Sequence, residues 1–290
     1  MKKLKLLYKI FSSTLFLFFF QTYVHSQSLI IKDVPQENIS IDFRFIHPFY
    51  KSPSELNVLS GTYDLNISLP IGGKWNINTT IPFVVYKNKY EYSYYGYNYS
   101  YEYNKSAIGN IYLGLQTRDS TSSNIGRNFS FGVFLPTSSK GEAATANIFG
   151  FLTNYYDLQK YPQETITLYS NLAFRWYMED GIRFGLDIGP QYLMNISNKG
   201  SGGNEFFLHY GLSGGVSIDN FVIKSEFTGI LILTGEVENF TDRFINFFSF
   251  GLGYDNSVIK PAIFYQLNFH ELYKNLSTGS LGLKLSYVLE

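Results

Sequence analysis

The sequence predicts an all-β fold: a transmembrane antiparallel β-barrel of about 12 strands, with short periplasmic turns and long extracellular loops. Three observations carry that expectation. Apolar and polar residues alternate almost without a break downstream of residue 40. The connections between the alternating runs are short and long in turn. Aromatic residues make up 19% of the chain, with 25 Tyr and 27 Phe, a load suited to the girdles that such barrels place at both lipid interfaces.

The amino terminus reads as an address. In residues 1–26, Lys2, Lys3, Lys5 and Lys9 form the positive end of a secretory signal peptide and Ile10 to Phe20 its apolar segment. Val24-His25-Ser26 offers a cleavage site that leaves Gln27 first in the mature chain. Residues 27–40 are then a short periplasmic segment and 41–290 the barrel. The apolar stretch is shorter than the roughly 20 residues a helical span needs, and no later stretch reaches that length. Mean hydropathy is near neutral, as it should be when only alternate residues face lipid.

The strands follow in order. Tyr63, Leu65, Ile67 and Leu69 interleave with Asp64, Asn66 and Ser68; Trp75, Ile77, Thr79 and Ile81 interleave with Asn76, Asn78 and Thr80. Strand side chains alternate faces, so each run sets one face in grease and the other in water. These runs are 61–70 and 74–86. The pattern recurs at 41–48, 107–118, 127–136, 165–178, 182–194, 205–218, 221–234, 243–254, 258–268 and 280–289. Most are about 10 residues long, the length a tilted strand needs to cross a bilayer.

Short connections fall at Ile71-Gly72-Gly73, 119–126, Glu179-Asp180-Gly181, Asp219-Asn220 and Asp255-Asn256-Ser257, and long ones at 49–60, 87–106, 137–164, 195–204, 235–242 and 269–279. With both ends of the barrel domain in the periplasm, every short turn lies there. Register across the turns pairs Trp176 with Phe184 and Ile218 with Phe221. Trp75, Trp176, Phe184, Tyr254 and Tyr287 then form one aromatic band, and Tyr192, Phe206, Phe244 and Phe269 the other. In the last strand Ser280, Gly282, Leu285 and Tyr287 resemble the signal read by the barrel-assembly machinery.

The inward face holds the candidate functional residues: Arg44, Asp64, Asn110, Arg175, Asp187, His209, Ser213, Lys224, Glu226 and Lys284. They either line a water-filled path or satisfy one another and plug the lumen. Lys+Arg and Asp+Glu both number 23, which gives no electrostatic argument for nucleic acid. The chain has no Cys, which excludes an acylated-Cys anchor, disulfides and thiol metal sites. His209 and Ser213 share a face but stand roughly 13 Å apart along the strand, too far for a nucleophile and its base. No enzyme, metal or cofactor is expected from the three scattered His residues that remain after signal removal, His47, His209 and His270. The eight Tyr between Tyr90 and Tyr103 fit a hairpin extended above the membrane, or a contact surface. The loop 137–164 either folds inward or packs on the rim.

Two segments resemble a family. Ala107-Ile108-Gly109-Asn110-Ile111-Tyr112-Leu113-Gly114 is similar to the strand start, and Phe131-Gly132-Val133-Phe134-Leu135-Pro136-Thr137 to the strand end, of barrels associated with the meta-pathway of phenol degradation. Asn110 stands where that family usually has Asp, and Ser138 where it has Gly. The resemblance covers roughly residues 60–140. It implies an outer-membrane channel for small hydrophobic or aromatic solutes, surrounded by outer-membrane lipid. The alternative is a plugged structural or surface-interaction barrel.

Overall fold

The structure, a computed structural model, describes residues 38–51, 55–95, 97–117, 125–178, 181–197, 203–235, 240–256 and 258–289. The expected signal peptide and the turns near 119–124 and 179–180 lie outside these residues. Among the described residues no helix is long and apolar enough to cross a membrane.

The chain forms a closed antiparallel barrel of 12 spanning strands. In chain order the strands are β1 (Ile39–Tyr50), the two-residue β2 (Glu55–Leu56), β3 (Gly61–Pro70), β4 (Trp75–Tyr94), β5 (Tyr97–Ile108), β6 (Tyr112–Thr117), β7 (Ile125–Phe134), β8 (Thr165–Tyr177), β9 (Ile182–Asn195), β10 (Glu205–Ile218), β11 (Phe221–Ile232), β12 (Phe244–Tyr254), β13 (Ile259–Asn268) and β14 (Ser277–Leu289). Each spanning strand pairs with its sequence neighbours, and β1 pairs with β14 from Ile39↔Leu289 upward to close the cylinder. Trp176 pairs with Phe184 and Ile218 with Phe221, as the alternation requires.

β5 and β6 together make one spanning strand. Both pair with β4, Phe83 with Ile108 and Thr80 with Tyr112. Two residues, Ile81 and Pro82, therefore stand opposite three, 109–111. The extra residue is a bulge, set beside a proline that has no N–H to give the ladder.

The strands differ from the expected runs chiefly at β4 and β5, which continue to Tyr94 and Tyr97. Alternating Tyr supports that extension. Tyr90 pairs with Tyr101 and Tyr94 with Tyr97, so the Tyr-rich segment is a two-stranded hairpin rising past the wall. At the other end β1 already begins at Ile39, inside the segment read from sequence as periplasmic.

The outer wall is apolar. Ile223, Leu252, Ile263 and Leu283 pair in succession across β11–β14, and all four are exposed. Trp75, Phe184 and Tyr287 are exposed near the end where the short turns lie. The inner wall is polar over its turn half, with Lys224 and Glu226 paired to Gly251 and Ser249. Strict alternation fails over the loop half. Ile46, Leu193, Phe207, Ile230, Ile245 and Phe264 are buried on the inner face, around residues from the loop 137–164.

Candidate functional site

The loop 137–164 folds inward. Its helix, Ala144–Thr153, lies against the wall, where Ala146 and Phe149 pack with Val84 and Ala107. Phe149 also stacks on Tyr86, with ring centroids 4.6 Å apart. A 3-10 segment, Tyr155–Lys160, then crosses the lumen. Tyr156 and Leu158 join the apolar ring supplied by β1 and β9–β13. Burying each such side chain is worth about 1.5–3 kcal/mol.

A socket at the β5–β6 bulge holds both stems of this loop. The Asn110 backbone N–H donates to Lys160 O at 2.6 Å, and Asn110 Nδ2 donates to Gln159 O at 3.1 Å and Pro162 O at 2.8 Å. Asn110 Oδ1 accepts from the Ser138 N–H at 3.0 Å, while Ser138 Oγ donates to Tyr161 O at 2.8 Å. Thr137 Oγ1 accepts from the Ile111 N–H and donates to Gly109 O, both at 2.9 Å. Gly109 has to be glycine: a Cβ there would sit 2.3 Å from Lys160 O. The two motif segments that carry the family resemblance thus meet at one place. Asn110, expected as a lumen-lining residue, clamps the inserted loop.

Arg44 and Asp64 face each other in register on β1 and β3. Arg44 donates to Asp64 Oδ2 from Nε at 3.0 Å and from Nη2 at 2.5 Å. The loop adds one charge of each sign. Asp157 binds Arg44, and Lys160 Nζ reaches Asp64 at 2.9 Å and Asp157 at 2.8 Å. The four side chains close a ring of alternating sign. Burial alone would raise the Asp157 carboxyl, but Lys160 and Arg44 outweigh it and hold the group well below the usual carboxylate range.

Below the loop, a polar chain crosses β8–β10. Arg175 pairs with Asp187 at 2.6 Å, and Asn171 Nδ2 donates to Asp187 Oδ1 at 3.0 Å. Asn171 Oδ1 contacts His209 Nε2 at 3.0 Å, and His209 Nδ1 contacts Gln191 Nε2 at 3.1 Å. The His209 ring stacks on Tyr169 at 4.9 Å, and Tyr156 of the loop meets it edge-on at 6.4 Å. Both ring nitrogens of His209 are engaged in this chain, and Ser213 stands further down β10, opposite Glu226. Lys224 and Glu226 pair with each other at 3.3 Å. Lys284 is half-buried and is the register partner of Arg44 across the β1–β14 seam.

The sequence places these residues on one lumen face, but it does not reveal how closed that face is. Asp64, Arg175, Asp187, His209, Lys224 and Glu226 are each at most 3% exposed. Asp157 and Lys160 go unnoticed in the sequence because they sit in an aperiodic loop, although their i,i+3 spacing sets opposite charges on one side of a helical turn. Arg183 and Asp255 are also missed. With Lys260 they form a second cluster near the turn end: Lys260 Nζ to Asp255 at 3.1 Å and Arg183 to Asp255 at 3.8 Å. Among the described residues no group of His, Asp and Glu is arranged to hold a metal ion.

These features define a transmembrane β-barrel closed by an inserted loop. The fold is similar to that of an outer-membrane channel from Pseudomonas putida F1, with a TM-score of 0.59 at 9% identity over 91% of this chain and 100% of that one. KdgM porin aligns at a TM-score of 0.47 and 10% identity over 87% of this chain and 99% of that one. LpxR from Salmonella typhimurium aligns at 0.47 and 9%, over 86% and 100%. No protein-family model and no curated protein matches the sequence.

Proposed function

We propose that this barrel lies in the outer membrane, with its loop end outward, and serves as a channel for small, weakly polar or aromatic solutes. Residues 1–26 act as a cleaved export signal, and the β14 pattern serves the barrel-assembly machinery. The observation that carries the channel reading is how the lumen is filled. Small barrels fill their interior with side chains from the wall itself. Here the loop half is filled by Tyr156, Leu158 and Lys160, which a surface loop inserts into the wall's own apolar ring and ion pairs. The turn half keeps a polar face, and among the described residues its buried Ser249 Oγ and Ser286 Oγ have no protein hydrogen-bond partner. A buried polar atom without a partner costs about 1–3 kcal/mol unless water reaches it, so this face is suited to a hydrated path. The likeness in fold to an outer-membrane channel agrees with this reading.

Liposome swelling tests it. The refolded barrel should admit phenolic solutes faster than sugars of similar size, and planar bilayers should show single-channel steps. No swelling with any solute, either in the native chain or in one lacking residues 154–159, would reject the channel and favour a structural barrel.

A further inference from the structure

The segment crossing the lumen is held differently from the rest of its loop. The helix before it is packed on the wall, and the stem after it is clamped by Asn110. Between them the backbone bonds stay inside the loop: Asn154 N–H to Gly150 O, Asp157 N–H to Asn154 O, and Tyr161 N–H to Leu158 O. The segment is also bent at two places, Asn154 (φ −133°, ψ 67°) and Asp157 (φ −104°, ψ 36°). Up to Leu158, side chains fix it across the lumen; from Gln159 onward Asn110 holds the backbone carbonyls.

One of those side-chain contacts is the four-charge ring, and it divides evenly. Arg44 and Asp64 stay with the wall and are bonded to each other. Asp157 and Lys160 belong to the loop and are bonded to each other at 2.8 Å. Separating loop from wall breaks the cross pairs, Arg44 with Asp157 and Lys160 with Asp64, and leaves two neutral halves. Breaking a buried ion pair is costly mainly because it strands a charge. This arrangement strands none. We infer that residues 154–158 form a reversible gate that turns on the clamped backbone of Gln159 and Lys160, latched to β1 and β3 by the four-charge ring and released with Asp157 and Lys160 Nζ still paired, so that neither half carries a net charge. What the gate admits rests on the channel reading above; its movement does not.

The chain has no Cys, so one introduced thiol reports without background. Ser249→Cys places it on the lumen face of β12, opposite Glu226. In the full chain refolded into lipid vesicles, a small charged methanethiosulfonate should modify it slowly. Adding Asp157→Asn and Lys160→Gln removes both loop charges and leaves the wall pair intact. Modification should then speed up at least tenfold, while the folded barrel keeps its heat-shifted gel mobility. Any route from the turn end is common to both chains, so the difference reads the loop. A second variant, Asp157→Lys with Lys160→Asp, keeps the loop neutral but sets like charge against like; it should raise the rate as well. Unchanged rates in both folded variants would overturn the gate. Faster modification with no single-channel current would keep the gate and reject the channel.

Discussion

At the scale of single residues, the interior is built by side chains lying flat over gaps left by their neighbours. Phe264 and Gly282 are register partners on β13 and β14. A Cβ at Gly282 would lie 2.0 Å from the Phe264 ring. Gly282→Val should therefore push the ring out and cost about 1–3 kcal/mol, seen as a lower urea midpoint for loss of the folded gel band. The double change Gly282→Val with Phe264→Ala should be no worse than Phe264→Ala alone, because the clash has gone. Additive losses would mean the ring does not lie there. The same residue scale shows what the sequence could and could not disclose about the site. Period-two alternation sets Arg44, Asp64, Arg175, Asp187, His209, Lys224 and Glu226 on the inner face, because nothing but strand geometry is needed to do so. The partners those charges take depend on Asp157 and Lys160, which no periodicity positions. Asn110 looks from sequence like one more lining group; its clamp on the loop depends on a bulge opposite Pro82 that alternation does not mark.

Among the elements, the spanning strands were legible within a few residues, since each carries one apolar and one polar face over its membrane length. The departures lie where a strand leaves that environment. Above the wall, β4 and β5 exchange lipid contacts for Tyr–Tyr cross-strand pairs, so the alternation of apolar with polar residues weakens while the strand continues. Over the loop half of β9–β13 both faces are apolar, because the inner one packs on Tyr156 and Leu158. The two surroundings predict different tolerance to charge. Leu212 is 55% exposed on the outer face of β10, where Leu186 is its register partner. Leu212→Arg should cost about 2–4 kcal/mol in a folding titration into lipid vesicles. Tyr99→Arg, on the exposed hairpin, should leave that titration within about 0.5 kcal/mol of the native chain. Equal damage from both would place the hairpin inside the lipid belt.

For the molecule as a whole, the short connections and the paired ends Ile39 and Leu289 share one rim, and the Tyr hairpin and the inserted loop share the other. Single thiols at Tyr97 and Lys140 should therefore react with an impermeant maleimide on intact cells, and one at Asn220 should react only after the outer membrane is opened. The reverse pattern would invert the proposed orientation. The seam between β1 and β14 has a consequence for how the cylinder is made. Every other spanning pair joins strands that follow one another along the chain, and such pairs can form as soon as both strands are present. The seam must wait for the final strand, and until it closes both margins of the growing sheet carry unpaired N–H and C=O groups ready to pair with a stranger. Biogenesis of this protein is thus a race between one late, correct zipper and aggregation. Arg44 and Lys284, which meet across that zipper, are among the last side chains to find their places.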